Sequence, residues 1–123
     1  MEQYGIKNEH ILEIYETFQK ETEKKKFDLK YMGLGLGGEV GEVLNEVKKL
    51  ERDDLDILTD DRRNKIILEL GDVLWYFQGI CQKLGCTIEE IMRLNMVKLN
   101  YDKTLCKVCK QIYSDKCACW GYS

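Results

Sequence analysis

At 123 residues, with 44% hydrophobic and 33% charged side chains, the chain has the length and composition of one globular domain with a buried core. A formal charge of −3 argues against a general nucleic-acid binder, which needs a basic surface stripe. No apolar run approaches the ~20 residues of a helical membrane span, and Met1-Glu2-Gln3 opens a polar stretch without a signal-peptide core, so the expectation is a cytoplasmic protein. Ten glycines and no proline permit long helices and leave glycine to punctuate them.

Apolar residues recur at helical spacing from His10 onward, at Ile11, Ile14, Tyr15 and Phe18, with Asn8 placed to cap the first helix. The mixed charges of 21–26 then read as a solvated face. Asp28 is placed to cap a second helix running from about Leu29 to Glu51. Glycines 33, 35, 37, 38 and 41 inside it each cost roughly 0.8–1 kcal/mol relative to alanine. Close approach of another helix or of a ligand is the physical reason to keep them. The acid-rich connection 52–61 leads to a third helix, capped by Asp60 or Asp61, from Arg62 to Leu84. Gly85 follows as the residue that ends it. Thr87-Ile88-Glu89-Glu90 is a capping box that opens a fourth helix, with apolar positions at Ile88, Ile91, Met92, Leu94, Val97 and Leu99. No stretch alternates as a strand does. The expected fold is all-α, a four-helix bundle.

Two segments in helices two and three share a pattern. Glu39-Val-Gly-Glu42-Val-Leu matches Glu69-Leu-Gly-Asp72-Val-Leu position for position, thirty residues apart. Acids three apart on a helix share a face, about 5–6 Å apart at Cβ. The apolar stripes run through Leu36, Val40, Val43, Leu44, Val47 and Leu50, and through Ile66, Ile67, Leu70, Val73, Leu74, Phe77 and Cys81. Both acid pairs flank these stripes, so four carboxylates point to the rim of a helix-packed core. The bland alternative is a set of exposed acids balanced by Lys48, Lys49, Arg62 and Lys65. Two pairs in matching phase favour a cation site, because gathered carboxylates repel and otherwise take up protons. All-oxygen ligation suits Mg²⁺ or Mn²⁺. A di-iron centre needs Glu-x-x-His on two helices, and His10 is the one histidine. Gly33-Leu-Gly35-Leu-Gly37-Gly38 satisfies the letters of a dinucleotide-binding loop, but no strand precedes it and that reading fails.

Carboxylate-held Mg²⁺ commonly meets substrate phosphates. The two acid motifs, the flank Gly-Leu-Gly-Gly-Glu-Val-Gly-Glu-Val with Lys48-Lys49, the run Glu-Leu-Gly-Asp-Val-Leu-Trp-Tyr, and Asn95-Met-Val-Lys98-Leu99 together resemble the MazG-like all-α nucleoside triphosphate pyrophosphohydrolases over residues 29–101. The resemblance implies hydrolysis of a (d)NTP between its α- and β-phosphates, giving a monophosphate and pyrophosphate. It implies that Glu39, Glu42, Glu69 and Asp72 hold Mg²⁺ and form the catalytic centre. Lys98 would pair with phosphate, with Asn95 and the Tyr76 hydroxyl as hydrogen-bonding partners. It also implies a homodimer or homotetramer, with no nucleic-acid or membrane partner, over a domain spanning 1–103. Glu46, one turn past the first acid pair, reads as solvated or as an auxiliary ligand. Trp75 reads as a base-stacking ring or as packing against a partner subunit.

Two positions depart from the family pattern. Gly38 stands where many members carry another acid, which leaves the base open. Asp102, with Lys103 beside it, stands where many carry an arginine. The tail 104–123, with Cys106, Cys109, Cys117 and Cys119, lies outside the resemblance. Its thiols could bind Zn²⁺, but free reduced thiols are the first expectation, with adventitious disulfides a third alternative. Cys81 and Cys86 read as ordinary reduced cysteines. The runner-up to an enzyme is a non-catalytic helical protein that uses its carboxylates for structural metal or for a partner.

Overall fold

The computed structural model describes residues 10–25 and 27–99. Asn8, Tyr101, Asp102, Lys103 and the cysteines of the 104–123 tail lie outside the described residues. Four helices appear in chain order: α1 (Ile11–Thr22), α2 (Leu29–Asp53), α3 (Asp60–Leu84) and α4 (Ile88–Lys98). There is no strand among the described residues, and the fold is all-α. None of these helices is long and apolar enough to cross a membrane. The chain divides after Thr87 into two units, with α1–α3 in the first and α4 in the second.

The helix ends follow local chemistry. Asp28 caps α2 as expected, its carboxylate accepting from the Tyr31 amide at 2.8 Å. The cap of α3 is Thr59, one position earlier than Asp60; its hydroxyl accepts from the Arg62 amide at 3.1 Å. Asp60 and Asp61 instead occupy the first turn, where their charge suits the positive end of the helix dipole. Gly85 ends α3 in the left-handed region at φ 70°, where a side chain would be strained. The following Cys86 amide closes the motif on the Cys81 carbonyl at 2.9 Å. In the second unit α4 begins directly after Thr87, with Glu89 and Glu90 in its first turn.

Within the first unit, α3 packs against both α2 and α1. The α2–α3 pair runs antiparallel in a constant register. Met32 meets Gly79, Gly35 meets Tyr76, Glu39 meets Glu69 and Asp72, and Glu46 meets Arg62. Each step up α2 is matched by a step down α3. Two glycines mark the close approaches. A Cβ on Gly79 would lie 2.9 Å from the Met32 thioether and 3.0 Å from the Gln19 amide, and a Cβ on Gly35 would run into the Tyr76 ring. Helix α1 is fastened by polar contacts. Trp75 Nε1 donates to Thr22 Oγ1 at 2.8 Å, and Lys83 pairs with Glu23 at 2.8 Å.

The apolar stripes split in a way that periodicity does not show. Leu36, Val43, Leu50, Ile66, Val73 and Phe77 turn inward and are half-buried, and Cys81 is buried. Val40, Leu44, Val47, Ile67, Leu70 and Leu74 stay exposed, Leu44 to 62%. Among the described residues of the first unit, the buried hydrophobic side chains are Met32 and Cys81. Gly33, Gly37, Gly38, Gly41 and Gly71 have nothing over them among those residues.

Candidate functional site

The antiparallel register sets the acids against one another. Carboxylate oxygens of Glu39, Glu69 and Asp72 come within 4.8 Å of one another, Glu39 and Glu69 half-buried and Asp72 exposed. Glu42, one turn from Glu39, is exposed and outside that group. It is still close enough to act on Glu39. Burial, then Asp72, Glu69 and Glu42 in turn, push the Glu39 carboxyl above its ordinary value.

Of the four cations that could have balanced these acids, three are engaged elsewhere, and Lys48 is in no ion pair with them. Arg62 reaches Glu46 at 2.5 Å and Asp54 at 2.7 Å, Lys49 reaches Glu46 at 3.3 Å, and Lys65 reaches Asp61 at 3.1 Å. No ion pair among the described residues includes Glu39, Glu42, Glu69 or Asp72. Three oxygen ligands gathered without an internal cation fit a hard divalent ion. Glu46 is corrected by the same geometry. It is neither solvated nor turned to the acid cluster, because Arg62 and Lys49 hold it and keep its carboxyl below its ordinary value.

Two phenols, Tyr76 and Tyr15, feel the charge of the acids. Tyr76, one turn past Asp72, lies over Gly35. Its proton is held more tightly than usual, first by burial and then by its neighbours Tyr31, Glu39 and Asp72. Tyr15 of α1 responds in the same direction, to burial first and then to Asp72. Tyr15 and Tyr31 have no place in the sequence motifs. The signal for Tyr31 was its spacing, since Tyr31, Gly35 and Glu39 recur every four residues along one line of α2. Tyr15 offered no signal beyond its place in an apolar stripe. Trp75 spends its indole N–H on Thr22 and meets Tyr76 edge-on at 5.0 Å, so it is a tie between α1 and α3 within one chain. Asn95 and Lys98 lie exposed on α4, in the second unit.

A family model described as the MazG nucleotide pyrophosphohydrolase domain matches residues 27–103, a span that contains both acid motifs and Asn95–Lys98. Among curated proteins, the Gene 37 protein of Mycobacterium phage L5 is 37% identical over 75 residues, which cover 61% of this chain and 66% of that protein. The chain therefore spans just under two thirds of the length of this relative. No solved structure matches.

Proposed function

The chain belongs to the MazG nucleotide pyrophosphohydrolase family, and from that premise we propose that it is a cytoplasmic, Mg²⁺-dependent enzyme converting a (d)NTP and water to a (d)NMP and pyrophosphate. The observation that carries the reading is the convergence of Glu39, Glu69 and Asp72 from two antiparallel helices with no internal cation among them. These three would hold Mg²⁺, or Mn²⁺ in its place, with Glu42 as the fourth ligand. When bound, the ion would supply charge neutralisation and polarisation of the phosphoryl oxygens toward attack by water. The protein's own part is positioning. The carboxylates fix where the triphosphate enters, and the Tyr76 hydroxyl, which feels the charge of Glu39 and Asp72, offers a hydrogen bond to a substrate oxygen. By the family motif, the Lys98 ammonium offsets phosphate charge and the Asn95 amide adds a hydrogen bond.

Homo-oligomerisation belongs to the same reading. The exposed line Val40, Leu44, Val47 and the facing line Ile67, Leu70, Leu74, with bare glycines beside them, form an apolar face suited to a second copy. The sparse core of the first unit supports this, since a small chain that buries little of its surface gains stability from a partner. The function is tested by pyrophosphate release from a panel of (d)NTPs, with Mg²⁺ and with chelator. Release that depends on Mg²⁺ and disappears in Glu69→Gln is expected. A protein that hydrolyses none of the panel overturns the assignment. Light scattering tests the assembly: Leu44→Glu is expected to yield a monomer from a dimer or tetramer.

A further inference from the structure

Tyr76 sits in a slot that only glycine can form. Tyr31, Gly35 and Glu39 are successive every fourth residue on α2, and Glu69, Asp72 and Tyr76 run the opposite way on α3. The Tyr76 ring therefore crosses α2 at Gly35, with the carboxylates one turn to one side and Tyr31 one turn to the other. Any β-carbon at 35 would occupy the place of the ring. The other close-approach glycine, Gly79, faces a methionine and a glutamine, whose flexible ends can give way. Gly35 faces an aromatic ring, which can make room only by moving as a whole. Tyr31 is itself fixed. Its amide is held by the Asp28 cap, and its ring stacks on Phe27 with centroids 3.9 Å apart and planes 13° from parallel. Its phenol is near enough to Tyr76 to help hold the Tyr76 proton more tightly than usual, after burial.

We propose that Gly35 and Tyr31 are positioning residues for the nucleoside half of the substrate: Gly35 seats the Tyr76 ring, and Tyr31 aims its hydroxyl and continues the wall away from the carboxylates. This rests on the pyrophosphohydrolase reading and deepens it. With the triphosphate drawn to the acids, the sugar and base extend along α2 in one of two directions. Toward Glu46 the surface is an occupied ion-pair network. Toward Tyr31 it is a series of aromatic groups, and the Tyr31–Phe27 stack, with Tyr31 46% exposed and Phe27 half-buried, is suited to a planar base. The inference concerns how tightly and how productively the nucleoside is held. It does not concern metal binding.

The test compares wild type, Gly35→Ala, Tyr31→Phe, Tyr76→Ala and the double variant Gly35→Ala/Tyr76→Ala, using the best triphosphate of the panel. Gly35→Ala is expected to lower kcat/KM on the order of 10- to 100-fold, because the ring is displaced, while Mg²⁺ affinity by calorimetry stays within about twofold. In the Tyr76→Ala background the same substitution is expected to add nothing, as for two groups acting through one contact. Tyr31→Phe keeps the stack, loses the hydroxyl, and is expected to raise KM more than it lowers kcat. Gly35→Ala with wild-type kinetics, or with a loss fully additive to that of Tyr76→Ala, overturns the role of Gly35. A Tyr31→Phe enzyme indistinguishable from wild type overturns that of Tyr31. Either result leaves the pyrophosphohydrolase assignment standing, since it is read from wild-type turnover. If Gly35→Ala fails to fold by circular dichroism, Tyr31→Phe at its exposed site decides.

Discussion

The α2–α3 pair gathers acids at two levels, and the two gatherings differ in one respect. At Glu46 and Asp54 the helices bring a cation of their own: Arg62 lies between them, its side chain only 10% exposed, and both carboxyls are held below their ordinary values by hydrogen bonds to it. About 10 Å along α2, at ~1.5 Å per residue, Glu39 meets Glu69 and Asp72 with no such group, and its carboxyl moves the other way. The first is a closed knot that the fold uses. The second is a set of like charges to which the fold supplies no counter-charge, and the proposed metal site rests on that difference. Acid count does not tell the two gatherings apart. The presence of an internal counter-charge does.

The contrast breaks most visibly in activity. Asp72→Asn is expected to reduce pyrophosphate release on the order of 100-fold or more, since a lost ligand should cost at least as much as a lost second-sphere group. Its melting temperature should hold or rise, because a repelling charge has been removed. A Tm loss that accompanies the activity loss would place Asp72 with the structural acids. Arg62→Ala is the mirror experiment: several degrees are lost in Tm, because two carboxylates are left without their partner.

Acid sharpens the same comparison. Asp54 and Glu46 have depressed folded-state values, so the stability they add is complete above their unfolded values, near pH 4. It is lost as pH falls through the folded ones. Wild type should therefore lose Tm below about pH 4, and Arg62→Ala should show a flatter slope there. A metal titration is the next smaller effect. Free Mg²⁺ at a hundred times its dissociation constant should stabilise wild type by about 2.7 kcal/mol, seen as a rise in Tm that is absent in Glu69→Gln/Asp72→Asn. Smallest is the cap of α3. Thr59→Ala should cost about 1 kcal/mol in denaturant unfolding and leave turnover per folded molecule unchanged.

Much of this was legible in the residues, and the exceptions share a cause. The two long helices, the Asp28 cap and the Gly85 stop follow from local pattern and came through within a residue or two. The acid pairs could be placed on facing helices because matched phase survives packing. The Arg62 knot could not be read, because it joins positions 46, 54 and 62 across a helix pair whose register the sequence does not state. Thr59 and Asp60 are both good caps one residue apart, and local pattern does not choose between them. The cost of the α2 glycines was visible, but only the Tyr76 ring over Gly35 shows which of them answers to a contact within the chain. Periodicity likewise marked Leu44 and Val43 as one stripe, although one is exposed and the other half-buried. A repeat of 3.6 identifies an apolar face without saying whether its own chain covers it.

The bond from Trp75 to Thr22 gives the molecule a built-in optical gauge. An indole tethered between two helices emits according to the polarity around it, so detachment of α1 from α3 should shift its fluorescence to the red before the longer helices unwind. With Trp120 replaced by phenylalanine to silence the second emitter, one wavelength would follow that docking event in real time, in a stopped-flow cell, as nucleotide is mixed in.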